Sequence, residues 1–196
     1  MTTDAELIEA FVATFVRFDN SISYTHSNPP PPEFHQGIDP EDWNCIRWSP
    51  ARIGSSHELL QPVRDRIGRS LPKLYEQLVL NYRWPELSLH RIRLKANVPG
   101  PDLAPLFNEL FRDPAFESTL IANFYLPFAF GGEGDEFSYD PICFDLNSLT
   151  ADGDCRIIRF EHEEILCNNR IGESWELWPS FRVAMLDTVL AVNDLP

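Results

Sequence analysis

Apolar residues near the start of the chain recur every three to four positions: Leu7, Ile8, Phe11, Val12, Phe15 and Val16. That spacing puts them on one face of a helix. Thr3-Asp4-Ala5-Glu6, just ahead, has capping-box spacing, in which hydroxyl and carboxylate satisfy each other's backbone N–H groups. The polar face carries no lysine and arginine cluster, so this helix is expected to pack into a core rather than onto a membrane surface.

Periodicity lapses from Asn20 to Arg52. Pro29 to Pro32 is a stiff, extended run, Asp39-Pro40-Glu41-Asp42 suits a single capped turn, and Trp43 and Trp48 are expected to pin the segment to the body. Residues 1–56 therefore read as a helix plus a wrapped, proline-rich connector, and residues 57–196 as the main domain. Ser55-Ser56-His57-Glu58 offers a cap for Leu59, Leu60, Val63 and Ile67, with a break or restart near Gln61 because of Pro62. Gly68 suits the residue after a helix end. Leu71-Pro72 opens a second helix, with Leu74, Tyr75, Leu78, Val79 and Tyr82 on one face.

From Leu89 to Ala96 the pattern alternates, predicting one half-buried strand with Arg91, Arg93 and Lys95 as a basic outer face. Two short helices follow Pro99-Gly100-Pro101, the second opened by Asp113-Pro114. Phe128-Ala129-Phe130 leads into the glycine-rich turn Gly131-Gly132-Glu133-Gly134-Asp135. A strand returns over Phe137 to Leu146, and Ala151-Asp152-Gly153-Asp154 is a hairpin turn by its Asp-Gly core. Cys155 to Glu161 is the next strand, with Ile165 to Asn168 continuing the meander. Gly172 to Pro179 reads as a loop anchored by Trp175 and Trp178, and Ser180 caps a final helix.

Composition narrows the class. The 196 residues are 43% hydrophobic and 12% aromatic, enough for one domain with a full core and too apolar for a disordered chain. No apolar run approaches the roughly 18–20 residues of a membrane span, and the residues before Leu7 are polar and acidic, unlike a signal peptide. A cytoplasmic protein is expected. Cys45, Cys143, Cys155 and Cys167 are widely spaced, as free thiols are. The net charge of −14 is uneven. Arg47 to Lys95 holds ten basic and four acidic residues, whereas Glu133 to Glu176 holds three basic and twelve acidic. Such a field repels nucleic acid and favours a cationic protein partner, or serves solubility alone.

Glu161-His162-Glu163-Glu164 is the densest ionisable cluster. On a strand, Glu161 and Glu163 would share one face and His162 and Glu164 the other. A metal needs three or four converging ligands, so His162 and Glu164 would still need Asp145 or Asp140. The glycine turn lies between strands and carries Glu133, Asp135 and Glu136, which excludes a phosphate cradle. No Gly-x-Ser-x-Gly elbow is present. A hydrolase built on Asp145, His162 and nearby carboxylates stays open, because catalytic groups can be distant in sequence.

The order of these parts resembles the SMI1/KNR4 family, or SUKH superfamily. The residues that carry the resemblance are Ile67-Gly68-Arg69-Ser70-Leu71-Pro72-Lys73-Leu74-Tyr75, the Gly131–Asp135 turn, Phe144-Asp145-Leu146, Phe160-Glu161-His162 and Ser180-Phe181. The match runs from about Leu59 to Val192. Two features depart from the family pattern: a longer Pro99–Leu126 segment, and Trp175 and Trp178 where small residues are common. The resemblance implies an α+β fold, a largely antiparallel sheet with helices against it. It also implies a non-enzymatic protein without cofactor, like the bacterial immunity proteins that bind and neutralise toxins, or a regulatory interaction protein. The expected docking surface is acidic and comprises Asp135, Glu136, Asp145, Glu161, Glu163 and Glu164.

Overall fold

In the computed structural model, which describes residues 3–18, 23–25, 35–38, 45–48, 50–89, 92–100, 102–131 and 139–193, the first helix, α1 (Asp4–Phe18), opens on the expected capping box. Thr3 Oγ1 accepts from Glu6 N at 3.3 Å, and Glu6 Oε2 accepts from Thr3 N at 2.7 Å. Leu7, Ile8, Phe11, Val12 and Phe15 are buried.

The next stretch corrects the expectation of an irregular connector. Strands β1 (Ser23–Thr25), β2 (His35–Ile38) and β3 (Cys45–Trp48) form an antiparallel sheet in the order β1-β3-β2. Strands of three or four residues are too short to display an alternating pattern, so periodicity could not reveal them. Pro29–Pro32, Asp39–Asp42 and Trp43 lie outside the described residues. β4 (Ala51–Arg52) then pairs with β5 (Tyr82–Arg83) and ties the segment to the body.

The break at Gln61 is seen: a 3₁₀ turn over His57–Leu60 passes into α2 (Gln61–Ile67), which ends at Gly68 with φ of 70°. α3 (Lys73–Asn81) starts one residue later than expected, with Pro72 preceding rather than opening it. The carbonyls at its C-terminus lack intrahelical partners. Arg83 Nη1 donates to Val79 O at 2.7 Å and Tyr82 O at 3.0 Å, and Asn97 Nδ2 to the same two oxygens at 3.1 and 2.9 Å.

The single strand expected over Leu89–Ala96 is instead a hairpin, β6 (Leu87–Leu89) and β7 (Ile92–Leu94), with Leu89 opposite Ile92. The alternating residues straddle its turn. The basic outer face is also corrected: Lys95 is buried, with Nζ donating to Glu109 O at 2.8 Å and lying 5.0 Å over the Phe130 ring. Arg93 also covers Phe130, at 5.4 Å. Their aliphatic stems cover apolar surface that a bare charge would not. Arg91 is outside the described residues.

α4 (Ala104–Leu110) and α5 (Pro114–Thr119) follow as expected. Asp113 Oδ1 caps α5, accepting from Ala115 N at 2.8 Å. β8 (Tyr125–Gly131) and β9 (Pro141–Asp145) pair antiparallel, so the glycine-rich segment joins two strands; Gly132–Ser138 is outside the described residues. After the Gly153 turn (φ of 80°) comes β10 (Ile157–Phe160). Two further corrections concern what comes next. Residues 162–168 form a helix, α6 (His162–Asn168), not a continued meander, and the expected tryptophan loop is an edge strand, β11 (Ser174–Trp178). α7 (Phe181–Asn193) closes the described chain. Its first N–H groups meet Ser180 Oγ (from Val183 N, 3.1 Å) and the Asp154 carboxylate (from Phe181 N, 2.9 Å).

The main sheet runs β11-β10-β9-β8-β7-β6, every neighbour antiparallel. On one face Ile142 and Phe144 join α1, α3 and α7 in the large core. There Phe144 stacks on Phe128 at 3.9 Å and meets Tyr75 and Phe181 at 4.8 and 5.1 Å. On the other face Cys143, Ile158 and Phe160 pack under Phe116 and Leu120 and under Ile165 of α6. The fold is α+β: a largely antiparallel sheet with helices packed against it. No described helix is long and apolar enough to cross a membrane. Cys143 and Cys155 are buried and Cys167 exposed, all as free thiols, and burial pushes the first two thiols up from their ordinary values.

Candidate functional site

Strand β9 is a rod with a buried carboxylate at each end: Asp140 immediately before it and Asp145 as its last residue. At roughly 3.4 Å per residue the two are about 17 Å apart, and each end has its own chemistry.

At the Asp145 end, Oδ2 takes Arg156 Nη2 at 2.5 Å and Oδ1 takes Asn147 N at 3.1 Å. Arg156 reaches on to Glu176 at 3.4 Å, and its guanidinium is held above its ordinary value chiefly by the bond to Asp145. Asp145 is 1% exposed, so it is an internal anchor for Arg156 rather than a surface charge.

At the Asp140 end, Oδ1 accepts from His162 N at 3.1 Å and faces His162 Nδ1 at 2.8 Å. Oδ2 forms an ion pair with Arg159 at 3.5 Å, and Arg159 in turn lies 4.6 Å over the Trp175 ring. Tyr139, one residue earlier, has its ring 5.9 Å from that of His162 and is 67% exposed. Leu166, one turn along α6 from His162 and therefore on the same side of the helix, is also exposed.

Glu161 explains why α6 starts where it does. It is the N-cap, with φ of −67° and ψ of 126°, and its carboxylate accepts from Glu163 N at 2.7 Å and Glu164 N at 2.9 Å. Glu163 and Glu164 occupy the first turn, where carboxylates favour the helix dipole. Asn169 ends the helix in the left-handed region, φ of 50°. Glu164 is ion-paired with Arg170, which holds its carboxyl below the usual carboxylate range. The returning chain packs closely at Gly172, where a Cβ would lie 2.8 Å from Glu164 Cβ.

The residues expected to form one acidic surface thus have different placements. Asp135 and Glu136 lie outside the described residues. Asp145 is buried at the far end of β9. Glu161 is turned inward as a cap, Glu164 is paired, and Glu163 remains an exposed charge. Asp145 and His162 are not brought together, so the dyad a hydrolase would draw from them is not formed. Asp140 is the carboxylate that meets His162. Among the described residues no group of three or more His, Cys, Asp or Glu side chains is placed to hold a metal ion.

Sequence reasoning passed over Tyr139 and the anchoring role of Asp140. The 22-residue separation of Asp140 from His162 hides their contact. The one local signal was Asp140-Pro141, which fixes an extended residue at the strand entrance. No family model matches the chain, and no curated protein matches it.

Proposed function

We propose that this protein is a non-enzymatic binding module that docks a basic protein partner on the face formed by Tyr139 and α6. The carrying observation is Tyr139 itself, a large aromatic side chain 67% exposed with its ring 5.9 Å from that of His162, the first residue of α6. Its base is rigid: Asp140 fixes both the backbone and the ring of His162. Aromatic residues on such a base are the usual energetic centres of protein interfaces, because they bury much area at little cost in conformational freedom. The resemblance to immunity-type members of the SMI1/KNR4 family supports the same reading, with a toxin, such as a nuclease, as the class of partner. Binding would neutralise that partner by covering its cationic active surface. A net charge of −14 on the chain as a whole favours encounter with a cationic protein.

The test is stopped-flow association with a purified cationic toxin, taken from a neighbouring gene where one encodes it. Association should slow several-fold between low salt and about 0.15 M. A rate indifferent to salt removes the electrostatic half of the proposal.

A further inference from the structure

A groove of about 330 Å³ lies on a different part of the surface, between the 3₁₀ turn–α2 segment and α4. One wall is Leu59, Pro62 and Val63, and the other is Leu103, Ala104 and Phe107. Val63 and Leu103 are buried and form the floor, while Leu59 and Phe107 are half-buried and stand as sides. Its other two described lining residues are acidic, Glu58 and Asp102, both exposed, and no described basic residue lines it.

Asp102 has a local duty, since Oδ1 accepts from Ala104 N at 2.9 Å. Neither carboxylate is ion-paired with any described side chain. The larger cleft, about 480 Å³ between the start of α1 and the end of α3, differs in this respect: its Arg52 already pairs with Glu9 at 3.1 Å. Among the described residues the α2–α4 groove therefore offers two carboxylates without an ion pair around an apolar floor.

We propose that this groove is a second docking site, for a basic amphipathic helix of a protein partner. Two apolar side chains one turn apart on that helix enter between Leu59 and Phe107, and flanking lysine or arginine side chains meet Glu58 and Asp102. The volume suits two such side chains and falls at the lower limit of small-molecule pockets. Open, carboxylate-bearing rims suit a helix laid in the groove, recognised through anchors at i and i+4. The inference shares with the proposed function only the sign of the partner's charge; its residues are separate.

The probe is a synthetic helical peptide with leucines at i and i+4 and lysines elsewhere, beside a copy with glutamates replacing the lysines. Both are titrated into the full chain with ¹⁵N amide spectra as readout. The lysine peptide should shift Leu59, Val63, Ala104 and Phe107 most. Glu58→Lys, an exposed change, should weaken it about 3–10-fold, whereas Tyr139→Ala should leave it unaffected. Equal binding of the glutamate peptide would make this a plain apolar pocket and overturn the assignment. So would shifts centred on α6, or none in the groove. If Tyr139→Ala abolishes toxin binding while the groove stays silent, the proposed function stands and this inference falls.

Discussion

Removing the carboxylate of Asp140 probes the base on which the candidate docking face stands. Asp140 is 2% exposed and holds three groups: the His162 backbone N–H at 3.1 Å, the His162 ring nitrogen at 2.8 Å and the Arg159 guanidinium at 3.5 Å. Asp140→Ala leaves a largely buried arginine without its carboxylate and the first N–H of α6 without an acceptor. Breaking such a pair from one side costs about 3–5 kcal/mol, a large part of the roughly 5–15 kcal/mol that holds a domain folded. For a chain of this size the melting temperature should drop by about 6–20 °C. Asp140→Asn keeps an acceptor for His162 N and loses the charge, so its cost should be about 1–3 kcal/mol. Urea unfolding followed by tryptophan fluorescence measures both. Backbone amides of residues 162–168 should exchange faster in both variants, because α6 loses its anchor. If Asp140→Ala melts within about 2 °C of the parent, a loss of under about 1 kcal/mol, the Asp140 cluster is not what holds α6 in place.

Two further outcomes follow from the same structure. Burial brings the Lys95 ammonium down to about 8 from its ordinary 10.5. Below pH 8 both folded and unfolded states carry the proton, and the folded state bears the desolvation cost. As pH rises from 8 to 10.5 only the unfolded state keeps the proton, so the lysine's penalty to folding fades. Lys95→Met should therefore stabilise the protein by about 1–3 kcal/mol at pH 7, with the advantage shrinking by pH 10; urea titrations at the two pH values check it. Phe144→Ala removes the ring that stacks on Phe128 and meets Tyr75 and Phe181, and should cost about 3–5 kcal/mol by the same unfolding measurement.

Helices with strong apolar periodicity or a good cap were legible in the chain. Leu7 to Phe15, Leu74 to Val79 and the Asp113-Pro114 start all appear where their spacing puts them. The hairpin at Gly153 and the start of α7 at Ser180 were equally plain, because turn and cap chemistry is local. Elements whose evidence is non-local were missed. β11 pairs with the edge that β10 offers, and Ser174–Trp178 does alternate between exposed and half-buried positions before Trp178, but the two tryptophans drew it towards a loop. α6 is capped by a glutamate, and its apolar residues Ile165, Leu166 and Cys167 are consecutive, so no 3.6-residue period shows. Lys95 looked like a surface base because alternation assigns sides of a strand but cannot foresee that α4 will bring the Glu109 carbonyl over it. The candidate site suffered most. Acidic residues close in sequence were read as one surface, while the fold spends Glu161 on a cap, buries Asp145, and instead exposes Tyr139.

The most direct measurement is the dissociation constant of the same cationic toxin for the parent chain, Tyr139→Ala and Glu163→Lys. Both positions are exposed, so both variants should fold, Glu163→Lys melting no more than about 2–4 °C lower because it reverses a charge in the first turn of α6. A docking face centred on α6 predicts a loss of about 2 kcal/mol or more for Tyr139→Ala, roughly 30-fold in affinity. It also predicts a slower association rate for Glu163→Lys. A partner that binds both variants as tightly and as fast as the parent would contradict the placement of the interface on this face.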